Sequence, residues 1–228
     1  MASAGDAEQL RERFVERVDA WRGAFLDVRR DRVALPDGSR ADREYIVHTG
    51  AVMVVPLLDR DRVRLPDGTE GMREYIRHPG AVAVVALFDD GSVLLERQFR
   101  YPHRREFIEI PAGKLEPGEP VLACAVRELA EETGYRAREW ARAGILHNAI
   151  SYSTKGIEVW FARGLEAGER SLDVGEFLDV FSLSVEQVDD AARRGDITDA
   201  KTLVGLLWLA NWRAGRWPLQ WVTVGAAP

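Results

Sequence analysis

The sequence predicts an α/β protein: an α/β/α sandwich around a mixed sheet, preceded by a small antiparallel β domain that carries a duplicated unit. Three observations point there. A strand–turn–strand unit recurs at an offset of 30 residues. After residue 79, apolar strand patterns alternate with helical ones, but without the regular βαβ rhythm of a purely parallel sheet. The chain is 228 residues long, 46% hydrophobic and 30% charged, which suffices for a sizeable core.

The elements follow in order. Leu10, Phe14, Val18 and Trp21 are spaced as on a short amphipathic helix or an ordered lead-in, and Ala24 to Val28 reads as a strand. The repeat comes next. Asp31-Arg-Val-Ala-Leu-Pro-Asp-Gly38 returns as Asp61-Arg-Val-Arg-Leu-Pro-Asp-Gly68, and Arg43-Glu-Tyr-Ile46 returns as Arg73-Glu-Tyr-Ile76. Aligning 31–59 with 61–89 gives 19 identities in 29 positions, the mark of a tandem duplication. Each copy reads strand, Pro-Asp-Gly turn, strand, apolar strand. Two copies are too few for a solenoid. The second copy runs into the core strand Ala81 to Phe88. The first ends its apolar strand, Ala51 to Leu58, at Asp59-Arg60-Asp61 and restarts. It is expected to add strands to the N-terminal domain or to a dimer interface. The predicted boundary therefore lies between an N-terminal β domain, 1–78, and a second domain, 79–228.

Beyond it, Asp89-Asp90-Gly91 turns into a partner strand, Ser92 to Phe99, and a short strand spans Phe107 to Ile110. A helix is predicted from Pro120, with proline at its first position, to the stop at Gly134. Strands follow at Ala143 to Asn148, Gly156 to Ala162 and Leu178 to Leu183. Two helices close the chain, Ser184 to Arg194 with Ser184 as cap, and Ala200 to Ala214.

Composition excludes some functions. The net charge is −6 and no basic block stands out, which argues against a nucleic-acid-binding surface but not against a nucleotide held through a cation. Cys124 is the single cysteine, so no internal disulfide forms, and a packed thiol in a reducing compartment is expected. The start lacks a basic-then-apolar signal, and the apolar run Leu203 to Ala210 is far shorter than the roughly 20 residues of a membrane span. A cytoplasmic protein without a membrane partner is the expectation.

The chemistry concentrates in GKLEPGEPVLACAVRELAEETGY, residues 113–135. On a helix Glu128 and Glu132 lie about 40° apart, with Glu131 about 60° to the other side. Three carboxylates thus share an arc of about 100°, while Leu122, Val126, Leu129 and Thr133 form the stripe predicted to face the core. Like charges at this spacing weaken a helix by a few tenths of a kcal/mol each, and Arg127 is expected to relieve little of that. A divalent cation removes the conflict. Hard oxygen ligands suit Mg²⁺, with Mn²⁺ a second choice. The plain alternative is a solvated acidic face, but the whole pattern of fixed positions arises by chance on the order of 10⁻⁷ times per chain.

This segment resembles the Nudix box at every defined position. Arg105-Glu-Phe-Ile-Glu-Ile-Pro-Ala-Gly113, Ile197-Thr-Asp-Ala-Lys-Thr202 and Arg-Glu-Tyr-Ile-x-His-x-Gly resemble the ADP-ribose pyrophosphatase branch of that family. The resemblance implies hydrolysis of ADP-ribose to AMP and ribose 5-phosphate. It implies Glu128, Glu132 and the backbone carbonyl of Ala112 as metal ligands, and Glu131 as support for a metal or its water. Glu119 and Arg127 would hold loop and helix together, Gly113 would let backbone approach the metals, and Gly134 would end the helix. Glu176 matches an acidic position of a later loop, as metal ligand or general base. Val174 stands where relatives often carry a second carboxylate. Arg100 resembles a phosphate- or ribose-binding arginine, and Glu109 a ribose or supporting contact. Arg73/Glu74 and Arg43/Glu44 resemble positions that reach the partner's substrate in a homodimer with N-terminal strand exchange. Trp21 is a candidate adenine stacker. The box reads only metal and diphosphate. Another nucleoside diphosphate sugar, or a low-turnover binding or scaffold role built on the duplication, remains open at this point.

Overall fold

The computed structural model describes residues 10–22, 27–47, 58–173 and 175–225. The chain divides into two compact units. The first holds Met1–His78, Arg100–Arg105 and Ala149–Lys155; the second holds Pro79–Phe99, Glu106–Asn148 and Gly156–Pro228.

In the first unit, β1 (Arg13–Arg22), β2 (Asp27–Ala34) and β3 (Arg40–Val47) form an antiparallel sheet in that order. The short helix or ordered lead-in expected over Leu10 to Trp21 is therefore corrected to a strand over most of its length. Two register irregularities, at Phe14/Glu16 and Arg17/Asp19, break the period of two, so the apolar positions fall at helix-like spacing. β1 is exposed throughout. Pairing holds it rather than burial: Arg17 donates to Asp31, and Arg32 to Glu16 at 2.8 Å. Asp31 is fully buried and also accepts from the hydroxyls of Tyr45 (2.6 Å) and Tyr101 (2.9 Å). Burial opposes its charge, but Arg17 and the two hydroxyls outweigh it and hold the carboxyl below its ordinary range.

The second copy repeats the hairpin as β4 (Leu58–Arg64) and β5 (Glu70–Ile76). Its register is that of β2–β3 shifted by 30: Asp31 faces Arg43, and Asp61 faces Arg73. Gly38 and Gly68 take φ of +83° and +86° in the two turns, the left-handed conformation that glycine adopts without cost. Ile46 and Ile76, equivalent positions, share one small core cluster with Val28 and Tyr152. The apolar strand predicted at Ala51 to Leu58 lies, up to residue 57, outside the described residues.

The second unit holds β6 (Ala81–Leu87) and, but for the end residues Arg100 and Arg105, β7 (Val93–Arg100) and β8 (Arg105–Glu109), which precede α1 (Val121–Thr133). β9 (Tyr135–Leu146), β10 (Ile157–Ala167) and β11 (Leu178–Leu183) follow, then α2 (Val185–Arg194), α3 (Ala200–Arg213) and β12 (Trp221–Thr223). The sheet order is β11-β7-β6-β10-β9-β12, with β8 on β7; β6 and β10 are parallel and their other pairings antiparallel. This is the predicted mixed sheet. Every residue of β6 is buried because both faces are covered. Val82, Val84 and Ala86 pack with α1, whereas Ala83, Val85 and Leu87 pack with residues of α2 and α3 such as Val188 and Leu209.

Several boundaries differ from expectation. Pro120 is the cap of α1, not its first residue, and Gly134 ends it at φ +77°. The core stripe of α1 is rotated: Cys124, Ala125 and Leu129 are fully buried, while Leu122 and Val126 are only partly so. β9 starts eight residues early, directly after the glycine, because Arg136, Arg138 and Arg142 interrupt its apolar pattern. β12 has only three residues and carried no strand signal.

Candidate active site on helix α1 and its preceding loop

The loop from Pro111 to Gly113 runs beside β6, whose Val82 and Val84 N–H groups donate to the carbonyls of Gly113 and Pro111 at 2.9 and 2.8 Å. That pairing fixes the backbone opposite α1. Glu132, on the last turn of α1, is 4% exposed and accepts from the Ala112 N–H at 2.9 Å. Glu128 lies one turn earlier and rests on Gly113. A Cβ built on Gly113 would fall 1.8 Å from the Glu128 carboxyl carbon. Gly113 has no positive φ, so space, not backbone strain, demands glycine here.

Two more carboxylates complete the cluster. Glu96 on β7 is fully buried, and its charge acts on Glu132. Glu176 acts on both Glu128 and Glu132, and accepts from Gln98 Nε2 at 3.4 Å. Burial pushes Glu128 up to about 7 against the opposing pull of Arg127, with Glu131 and Glu176 adding repulsion; burial, then Glu96, Glu176 and Glu128, pushes Glu132 well above the ordinary carboxylate range. Glu96 is not among the sequence-predicted site residues. The signal was present: a lone acid after Val93-Leu94-Leu95, inside an apolar strand.

Arg127 bonds the carboxylates of the helix as well as the loop. It donates to Glu119 at 2.8 and 2.9 Å, to Glu128 at 2.9 Å, to Glu131 at 2.9 Å and to the Lys114 carbonyl at 3.2 Å. These contacts clamp the loop to the helix and hold Glu119 down at about 2. The expectation that Arg127 relieves little of the helix repulsion is thus corrected. Cys124 is buried beneath it, its thiol pushed up to about 12 by burial, which makes it an inert packing group.

The remaining predicted residues are placed as follows. Glu109 is buried and paired with Lys201, which also meets Asp199 at 3.0 Å. Asp199 caps α3, and Thr202 Oγ1 accepts from the Ile110 N–H at 3.0 Å. This cluster anchors the strand end that carries Ala112. Arg100 ends β7. Arg73 and Glu74 lie on β5, where Glu74 accepts from Arg60 at 2.7 Å. Arg43 of the first copy instead pairs with Glu12 at 2.5 Å. Trp21 is half-exposed on β1 with Arg60 over its ring at 5.9 Å. Val174 lies outside the described residues.

Among the described residues, no three His, Cys, Asp or Glu side chains stand arranged as a finished ligand shell. The Glu128 and Glu132 oxygens are engaged by Arg127 and by the Ala112 N–H instead. The donor chemistry nevertheless fits a hard divalent cation: four carboxylates, all oxygen, crowded until Glu128 and Glu132 are both raised above the ordinary carboxylate range.

Residues 77–204 match the family profile described as the NUDIX domain. The chain belongs to the Nudix hydrolase family. Members of this family generally need a divalent metal. Residues 20–46 match a second profile, the nucleoside diphosphate sugar hydrolase N-terminal domain, which covers β2 and β3 and leaves the β4–β5 hairpin outside both profiles. The Nudix chain is 38% identical to an ADP-ribose pyrophosphatase of Bacillus subtilis (strain 168), over 89% of this chain and 94% of that one. It is 36% identical to a methanol dehydrogenase activator of Bacillus methanolicus, over 87% and 92%. A crystal structure of an ADP compounds hydrolase superposes with a TM-score of 0.57 at 20% identity, covering 90% and 96%; that likeness supports the fold.

The Gly113–Glu128 contact gives a direct test of the site. Gly113→Ala should displace the Glu128 carboxylate and lower kcat/KM by about 100-fold, with a stability cost of about 1–3 kcal/mol from overpacking. Steady-state kinetics against metal concentration, with a thermal melt, checks this. Unchanged kinetics would remove Glu128 from the site.

Proposed function

We propose that this Nudix hydrolase cleaves the pyrophosphate bond of ADP-ribose, with water, to give AMP and ribose 5-phosphate. The carrying observation is the buried carboxylate cluster of Glu96, Glu128, Glu132 and Glu176, packed against the Ala112–Gly113 backbone. The ADP-ribose pyrophosphatase relative, aligned over most of both chains, supports the substrate. The proposed divalent ion is Mg²⁺, with Mn²⁺ as substitute, held by Glu128, Glu132 and the Ala112 carbonyl. When bound it offsets diphosphate charge and acidifies water.

The chain's own residues do the rest. Arg127 and Glu119 keep loop and helix in register. Glu176, half-buried beside Glu128 and Glu132, takes the proton of the attacking water, and Glu131 assists from the exposed side of α1. Arg100 is proposed to bind phosphate or ribose. Glu109, being paired with Lys201, supports the loop rather than the sugar. Arg73 and Glu74 would reach substrate across a homodimer whose N-terminal strands cross between subunits. We place the boundary of the N-terminal domain at residue 78. Among the described residues no helix is long and apolar enough to cross a membrane, and with a single, buried cysteine we assign the protein to the cytoplasm.

A second reading, another nucleoside diphosphate sugar, is favoured by the breadth of the N-terminal profile. An assay that couples the phosphomonoester products to phosphate release through an added phosphatase, run over ADP-ribose, UDP-glucose, GDP-mannose and NADH with and without Mg²⁺, decides. ADP-ribose is expected to give kcat/KM at least about tenfold above the others, and only with metal. Preference for a GDP- or UDP-sugar would replace the first reading with the second.

A further inference from the structure

We infer that the open edge of β4 is a docking surface for strand β1 of a second copy of this chain. The inference rests on the homodimer reading above and gives it a location that the duplication alone supplies. β2 and β4 are duplicates, Val28 to Ala34 against Leu58 to Arg64, and each pairs with its own hairpin strand in the same register. Their outer edges differ. β2 is covered by β1; β4, among the described residues, pairs only with β5. An uncovered edge presents a row of backbone donors and acceptors ready for another strand.

The side chains say which strand. Within one chain, β1 meets β2 with Phe14 opposite Val33, Glu16 opposite Arg32, Arg17 opposite Asp31 and Asp19 opposite Arg30. Moved by 30, those partners become Val63, Arg62, Asp61 and Arg60, so β4 keeps each recognition residue. Asp31 is sealed by Arg17, Tyr45 and Tyr101, whereas Asp61 is exposed and meets Tyr75 at 2.9 Å.

β1 is also built to pair twice. One edge is taken by β2; the other has no strand partner among the described residues, and at its end Trp21 lies under Arg60 of the same chain at 5.9 Å. Four of the ten exposed large hydrophobics of the described residues, Phe14, Val15, Val18 and Trp21, crowd onto this one strand, a density that marks an interaction surface. Joining the outer edge of β1 to the partner's β4 continues the antiparallel sheet across two copies. Glu16, Arg17 and Asp19 would then stand opposite the copies of Arg62, Asp61 and Arg60, with opposite charges at all three positions. Because each copy carries both edges, the contact closes as a symmetric dimer.

Disulfide trapping tests this. One chain carries Phe14→Cys, another carries Val63→Cys, and the two are mixed under mild oxidant; buried Cys124 stays silent. A cross-linked dimer from the mixture, weak or missing with either chain alone, is the expected result. Asp61→Arg with Arg62→Glu, checked as folded by circular dichroism, should suppress the cross-link and weaken self-association by at least about tenfold in sedimentation. A dimer of unchanged affinity with no cross-link would overturn the β4 assignment and leave the homodimer reading intact. A monomer at all concentrations would overturn both. Placing both cysteines on one chain and finding rapid internal closure at high dilution would show β1 reaching its own β4, which also overturns the assignment.

Discussion

Glu132→Gln is expected to lower kcat/KM by about 10³-fold while making the metal-free protein more stable. The two effects have one cause. Glu132 is nearly fully buried, and its charge is opposed first by that burial, then by Glu96, Glu176 and Glu128. A glutamine amide fills the same space and still accepts from the Ala112 N–H. The substitution therefore keeps geometry and removes only charge. With Glu132 as the proposed ligand, losing one anionic donor to a metal that would supply several kcal/mol of transition-state stabilisation gives a rate loss near 10³. Removing a buried, repelled carboxylate raises stability. Kinetics with Mg²⁺ and melting in chelator measure both. If activity survives, the carboxylate cluster is not the metal site.

The same cluster sets a pH dependence whose sign can be worked out. Glu128 titrates near 4.5 when unfolded and is raised to about 7 when folded. Between those values the folded chain holds a proton that the unfolded chain has released, so metal-free stability falls as pH rises through this window and levels off above it. For Glu128 the difference amounts to roughly 3 kcal/mol. A divalent cation favours the charged form, so added Mg²⁺ should raise the melting temperature more at about pH 7.5 than at about pH 5. A melting temperature in chelator that climbs over the same range would contradict the cluster's electrostatics.

Much of this site was legible in the sequence because helical geometry is local. The arc of Glu128, Glu131 and Glu132 follows from 3.6 residues per turn, and Gly134 as a stop follows from its freedom at positive φ. What stayed hidden depends on partners distant in sequence. Glu96 joins the cluster only because folding brings β7 within electrostatic reach of Glu132 on α1. That Arg127 also bonds Glu128 and Glu131, and so relieves their repulsion, depends on how the folded loop sets its guanidinium. β1 looked helical because two bulges shifted its apolar residues out of period, and no local rule anticipates a bulge set by pairing with β2. The duplication itself was plain, but its consequence was not. Sequence identity at 19 of 29 positions implies equivalent places, whereas the structure buries one hairpin's Asp31 and exposes the other's Asp61.

Lys201→Met should destabilise the fold by about 3–5 kcal/mol and lower activity beyond the loss of folded protein. Lys201 and Glu109 are both buried and paired, and Asp199 shares the ammonium. Breaking such a pair leaves Glu109 buried without its lysine, which costs far more than the pair contributes net. The effect reaches the active site through backbone. Glu109 is three residues before Ala112, the intervening Ile110 N–H is held by Thr202, and Thr202 is held in turn by the Asp199 cap. When the lysine is lost, the strand end that presents Ala112 to Glu132 loses its anchor. The double variant Lys201→Met/Glu109→Leu separates the two consequences, since replacing both partners by apolar groups of similar volume is often neutral for stability. Chemical denaturation should show recovery of most of the lost free energy. If kcat recovers with stability, Lys201 acts only by removing a buried charge; if kcat stays low in the stable double variant, the pair positions the loop.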